Sequence, residues 1–275
     1  MAEQAEMVSA AVPTAADSFT AVGTIRAPAG MKRIKKAFFI YTVDAGAAGN
    51  TIRFAPVFRL QGSGLLEQSP HDYLGMFGGH FDDTDEGSEH HDAYMEYDVN
   101  IPISTGGDIQ CSVNALDEVT TAGTAQVCLI FDDVEPAQGN SMSDYVDVAG
   151  TTTAGAFAAV GTLIVPEGKE GAAPKKIKKL IIGIGEDQGG ADYSLRCASQ
   201  IRISGSGLVD PGLHVYPGPQ GSGAIVVTGG AYINHRTMEI DVDLTVNPSG
   251  EIDIEHQFIT ETPTASTVAV GVLYE

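Results

Sequence analysis

The stretch "MKRIKKAFFIYTVD", Met31–Asp44, returns later in the chain as "PKKIKKLIIGIGED", Pro174–Asp187. Each version runs through basic residues, an Ile, two lysines, an apolar run and an acid. The apolar runs "AFFIY" (Ala37–Tyr41) and "LIIGI" (Leu180–Ile184) are too short to span a membrane and carry no helical period. Consecutive apolar residues over a strand's length predict a β-strand buried on both of its faces.

Working outward, the two versions belong to a longer match. Lys32 corresponds to Lys175, "GSGLLEQ" at Gly62 to "GSGLVDP" at Gly205, and Tyr73 to Tyr216, each pair 143 residues apart. The same spacing joins "MEYDV" at Met95 to "MEIDV" at Met238 and "TAGTAQV" at Thr121 to "TASTVAV" at Thr264. Upstream, "FTAVGTI" at Phe19 and "FAAVGTL" at Phe157 lie 138 apart, which places a five-residue insertion within "PEGKEGAAP". A single register broken once, at a Gly/Pro/Glu-rich loop, indicates internal duplication with a period far too long for a solenoid. The expected organisation is an N-terminal arm over 1–18 and a first domain over 19–136. A linker and arm over 137–156, around the polar "EPAQGNSMSD", leads to a second domain over 157–275.

Within each copy the segments read as short strands between Gly, Pro, Asn and Asp turns. In "RFAPVFRL" Phe54, Phe58 and Leu60 share one face, and Arg53 and Arg59 the other. Both arginines recur, as Arg196 and Arg202. The repeated "GSG" predicts a tight turn needing positive φ. The fold class is all-β: two tandem antiparallel β-sandwich or jelly-roll domains related by internal duplication.

Composition narrows the function. The chain has 275 residues, 43% of them hydrophobic, enough for a packed core. With 15 basic and 36 acidic residues its net charge is −21, a balance that disfavours sequence-specific nucleic-acid binding. No signal peptide and no transmembrane segment is read. Cys111, Cys128 and Cys197 fall in strands and are expected to be buried free thiols in a protein made in a reducing compartment.

Catalytic motifs are not found: there is no G-x-S-x-G elbow, and no serine or cysteine has a base at a recognisable spacing. Glu96 and Asp98, with Glu239 and Asp241, sit two apart on a strand as a glycosidase pair would, but the apolar alternation of Met95, Tyr97 and Val99 assigns them to the wet face. The chain is therefore read as not an enzyme, with no cofactor. The densest polar segment is "GGHFDDTDEGSEHHD", Gly78–Asp92. Its carboxylates Asp82, Asp83, Asp85 and Glu86 are the candidate Ca²⁺ ligands, yet the spacing misses the EF-hand loop and the second copy has no acids there. A solvated acidic loop is the favoured reading.

The basic residues form two matched patches, Lys32, Arg33, Lys35 and Lys36, and Lys175, Lys176, Lys178 and Lys179. Such patches suit an acidic neighbour or a polyanion, or else pair with acids of their own domain.

In its two tandem β-sandwiches, and in the run "GTIRAPAGMKRIKKAFFIYTVD…NTIRFAPVFRLQGSGLL", the sequence resembles the double jelly-roll major capsid proteins of icosahedral viruses. The resemblance spans Phe19–Asp133 and Phe157–Glu275, and departs from the family in showing no clear helix in either copy. It implies a structural virion protein that self-assembles through homotrimers into a shell, is made in the host cytoplasm, and meets other virion proteins. A capsid-decorating protein is the near alternative. The rival class is a tandem carbohydrate-binding or lectin-like module, disfavoured because the chain has no Trp and few aromatics free to stack on a sugar.

Overall fold

The computed structural model describes residues 2–11, 18–44, 51–67, 69–81, 90–116, 122–136, 142–149, 154–167, 176–188, 194–224, 232–259 and 265–275. Every regular element among them is a β-strand. In the first half, β1 (Glu3–Ala11), β10 (Ala122–Asp132), β3 (Arg33–Asp44) and β8 (His90–Pro102) form one sheet in that order. Against it lies the sheet β2 (Thr20–Arg26), β9 (Asp108–Ala115), β5 (Pro56–Gln61), β6 (His71–Leu74). A short pair, β4 (Thr51–Phe54) and β7 (Gly78–Phe81), extends the second sheet's β5–β6 end.

The second half repeats this order. One sheet is β11 (Met142–Ala149), β18 (Ala265–Tyr274), β13 (Lys176–Gln188), β16 (Tyr232–Thr245). The other is β12 (Ala158–Ile164), β17 (Glu251–Phe258), β14 (Ser194–Ser204), β15 (His214–Ala224). All pairings are antiparallel. Strands distant in sequence lie adjacent and the chain alternates between two facing sheets, which is the jelly-roll winding. Where β4 and β5 are separated at Ala55, β14 runs through, with a register shift between Ala198 and Gln200.

Two segments expected as arms carry strands. Residues 1–18 hold β1, which pairs with β10 from Glu3↔Asp132 to Ala11↔Thr124, and 137–156 hold β11, which pairs with β18. Alanine and glutamate have low β-propensity, so "EQAEMVSAA" gives little strand signal; its place comes from the open edge of β10.

The alternation within strands builds the cores. In β9 Ile109, Cys111 and Val113 point inward, and in β17 Ile252, Ile254, His256 and Phe258 do. The first core is aromatic, with the Phe39 ring stacked on Phe58 at 4.8 Å and tilted against Tyr73 at 5.2 Å. The second is largely aliphatic around Leu180, Ile182, Val270 and Val272. Gly62 and Gly205 adopt φ of 121° and 119°, as the repeated turn requires. After each, the N–H of Leu65 or Leu208 donates back to the glycine carbonyl, at 3.1 and 3.2 Å.

Candidate functional site

The basic residues of the two matched patches begin β3 and β13, and each described one has an acid within its own half. Arg33 donates to both carboxylate oxygens of Asp132, at 2.8 and 2.9 Å, and to Asn100 Oδ1 at 3.0 Å. The Asp132 side chain is fully buried, and the Arg33 fork holds its pKa below the ordinary carboxylate value. Lys32 pairs with Glu135, and Lys35 with Glu3. Lys36 bridges Glu96 and Asp98; Lys179 bridges Glu239 and Asp241 in the same register. Lys176 and Lys178 share Asp243. The repeated Glu/Asp pairs are thus the acid side of a cross-strand charge ladder on the wet face.

Arg59 and Arg202 are held alike as well. The Arg59 guanidinium lies 3.8 Å from the Phe19 ring centre and Arg202 4.3 Å from that of Phe157. Their acid partners differ: Asp72 across β6 for Arg59, Glu255 on β17 for Arg202.

Lys175, Asp82, Asp83, Asp85 and Glu86 lie outside the described residues. Among the described residues no group of three or more His, Cys, Asp or Glu side chains is placed to hold a metal ion. Among the described residues no helix is long and apolar enough to cross a membrane. Cys111 is buried, which pushes its thiol up to about 12, and the half-buried Cys128 is also raised, so neither is poised as a nucleophile. The side chain of Cys197 lies outside the described residues.

The most developed surface is the contact between the halves. The sheet β11–β18–β13–β16 is covered on both faces: Leu180, Ile182, Val270 and Val272 enter the second core, while Ile181, Ala269 and Leu273 join the first. What covers the outer face is the segment 71–77. The Phe77 ring lies on Gly183, where an added β-carbon would meet three ring carbons at 2.8–2.9 Å, and Leu74 lies on Gly271, where an added β-carbon would meet its Cγ and Cδ1 at 3.1 and 3.2 Å. The Phe77 N–H donates to Thr237 Oγ1 at 2.8 Å. Beside them a groove of about 300 Å³ is lined by Arg59, Asp72, Ser143 and Asp144. Burial pushes the Asp144 carboxyl up to about 6, against an opposing backbone hydrogen bond from Tyr145, and Asp72 adds to the rise.

Sequence reading did not find this contact. Its signal was the pair of glycines inside apolar strands, "LIIGI" and "VAVGVLY", since a strand-interior glycine marks a close approach of another element.

No family model matches the sequence, and no curated protein matches it. Among solved structures the chain is similar to the major capsid protein of STIV, at 10% identity and a TM-score of 0.47, over 100% of this chain and 97% of that one. It is similar to PNGF-II at 9% identity and a TM-score of 0.42, over 91% of this chain and 58% of that one. For broad bean stain virus the figures are 9% and 0.38, over 98% and 87%. The atomic structure of Sulfolobus turreted icosahedral virus also matches, at 11% identity and a TM-score of 0.47, over 99% and 90%. Likeness at these scores assigns no function by itself. Along its whole length the chain is similar to a major capsid protein of an icosahedral virus, the kind of protein its sequence pattern resembles.

Proposed function

We propose that this is a structural virion protein, a capsid or capsid-decorating protein, that self-assembles through trimers into a shell. The observation that carries the reading is the pairing of two sandwiches of one strand order in a single chain, joined by a buried contact between the edge of one and a sheet face of the other. Three such chains supply six similar blocks, and a ring of six similar blocks tiles a surface with few distinct contacts. The domains are taken as 19–136 and 157–275, each completed by the arm before it.

In this reading the chain has no catalytic duty, and its place is the virion after synthesis in the host cytoplasm. The charge ladders at the start of β3 and β13 stand at equivalent positions of the two blocks, and on assembly their lysines would exchange acids of their own half for acidic groups of neighbouring subunits or of the particle's contents.

Light scattering across a concentration series tests the assembly. Trimers that associate further are expected; a strict monomer at high concentration refutes it. Changing Lys35, Lys36, Lys178 and Lys179 to Glu tests the ladders separately: an unaltered assembly removes their role and leaves the rest standing.

A further inference from the structure

The apolar run "AFFIY" predicts a strand buried on both faces as strongly as "LIIGI" does, yet among the described residues only the second is covered on both faces. Ile181 is 2% exposed, whereas its counterpart Phe38 is only half-buried. Strand registers fix the comparison. Tyr145, Gly271, Ile181 and Glu239 lie in one row across the outer face of the second half's sheet, and Met7, Cys128, Phe38 and Glu96 form that row in the first. In the next row Ala269, Gly183 and Thr237 correspond to Gln126, Ile40 and Tyr94. Phe38 stacks on Tyr94 at 5.9 Å; Tyr94 is 48% exposed and Met7 59%.

The edge that does the covering also has an idle counterpart. "HDYLGMF", His71–Phe77, corresponds to "HVYPGPQ", His214–Gln220, with the same pairings: Tyr73 opposite Phe58, Tyr216 opposite Ile201. Asp72 and Leu74 are buried against the second half, while Val215 is 50% exposed and Pro217 is exposed.

We infer that the edge 213–220 of one chain docks on the outer face of β1–β10–β3–β8 of a second copy, repeating between chains the contact that joins the halves within one. The inference rests on the reading that the chain assembles with itself.

Three features favour that occupant. Bulk is exchanged: inside the chain Leu74 and Phe77 fill the space over Gly271 and Gly183, and between chains Pro217 and Gln220 would meet Cys128 and Ile40. Polarity is exchanged in step. Asp72 lies beside Ser143 and Asp144, whose counterparts are Ala5 and Glu6; Val215, the counterpart of Asp72, would meet Ala5 and, two residues on along the same face, Met7. The wrong pairing is also blocked, because Leu74 and Phe77 on a face carrying Cys128 and Ile40 would set bulk against bulk. The contact is heterologous, so each chain offers one edge and one face and a closed ring satisfies both.

The test compares wild type with Met7→Asp, Val215→Asp and, as a control exposed elsewhere, Ile164→Asp, by sedimentation over a concentration series. All three side chains are at least half exposed, and the fold of each variant is checked by its melting temperature. Met7→Asp and Val215→Asp are each expected to raise the concentration needed for assembly at least tenfold, while Ile164→Asp leaves it unchanged. An equimolar mixture of the two should stop at a dimer, since the edge of the first and the face of the second remain intact. Wild type that assembles, with both variants assembling alike, overturns this contact alone; so does a mixture that regains the wild-type size or stays monomeric. Monomeric wild type overturns both the contact and the assembly reading. Wild type that closes into rings and never forms shells leaves the contact standing and overturns only the shell.

Discussion

Replacing Phe77 with Ala strikes the contact between the halves at its centre. The ring is 2% exposed and lies flat on Gly183, so its removal forfeits the transfer free energy of a buried aromatic and leaves a cavity floored by a residue with no side chain to fill it. Large-to-small changes of this kind cost about 3–5 kcal/mol. For a chain of this size each kcal/mol moves Tm by roughly 2–4 °C, so a fall of roughly 6–20 °C is expected in a calorimetric scan. The companion change Gly183→Ala puts a β-carbon within 2.8–2.9 Å of three ring carbons and should cost about 1–3 kcal/mol as overpacking. In the double variant that β-carbon enters the space the ring has left, so the pair should cost no more than Phe77→Ala alone. Costs that simply add, or a Phe77→Ala loss below about 1 kcal/mol, would refute the reasoning, because residues in contact must couple.

Arg33→Ala leaves the fully buried Asp132 carboxylate without its fork and should destabilise by about 3–5 kcal/mol, read by denaturant titration. Burial lowers the His256 pKa to about 4, so the folded state binds its proton less readily than the unfolded chain; its contribution is whole above pH 6.5 and is lost as pH falls toward 4. Asp144, raised to about 6, has the opposite sign: its contribution is lost as pH climbs from 3.8 to 6. Relative to wild type, His256→Phe should therefore gain stability as pH drops from 6.5 to 4, and Asp144→Asn should gain as pH rises from 4 to 6; parallel curves would sink the assignment. The ends of the acidic segment 78–92 belong to β7 and β8; if the carboxylates between those strands are solvated, Tm should be the same in millimolar Ca²⁺ and in chelator, whereas a rise with Ca²⁺ would assign a site to Asp82, Asp83, Asp85 and Glu86.

The strands of the cores were legible because their inward residues alternate, as in "DIQCSVNAL", and the turns because Gly62 and Gly205 need a φ that other residues resist. The edge strands β1 and β11 were not. The sequence of β1 carries little β-propensity, and β11 opens in the polar stretch read as a linker; the place of both comes from the open edges of β10 and β18, which no local pattern records. The charged patches were legible as residues but not as partners, since Lys36 finds Glu96 only once β3 and β8 are paired. The contact between the halves was hidden for a related reason. "HDYLGMF" and "HVYPGPQ" diverge in side chain while keeping one backbone path, and the divergence acquires meaning only beside the glycines it faces.

Those glycines act as a ratchet on the history of the chain. A free-standing block needs an outer sheet face that water tolerates, but the second half's face has Ile181, Ala269 and Leu273 around a glycine floor and is presentable only with the first half seated on it. The first half is bound in turn, since Leu74 and Phe77 occupy the space that Gly183 and Gly271 leave open. To part the halves would take simultaneous changes on both sides, each harmful alone. A gene encoding one half would yield a sticky fragment where a subunit is needed, so the two-block chain is a unit that gradual change cannot easily divide.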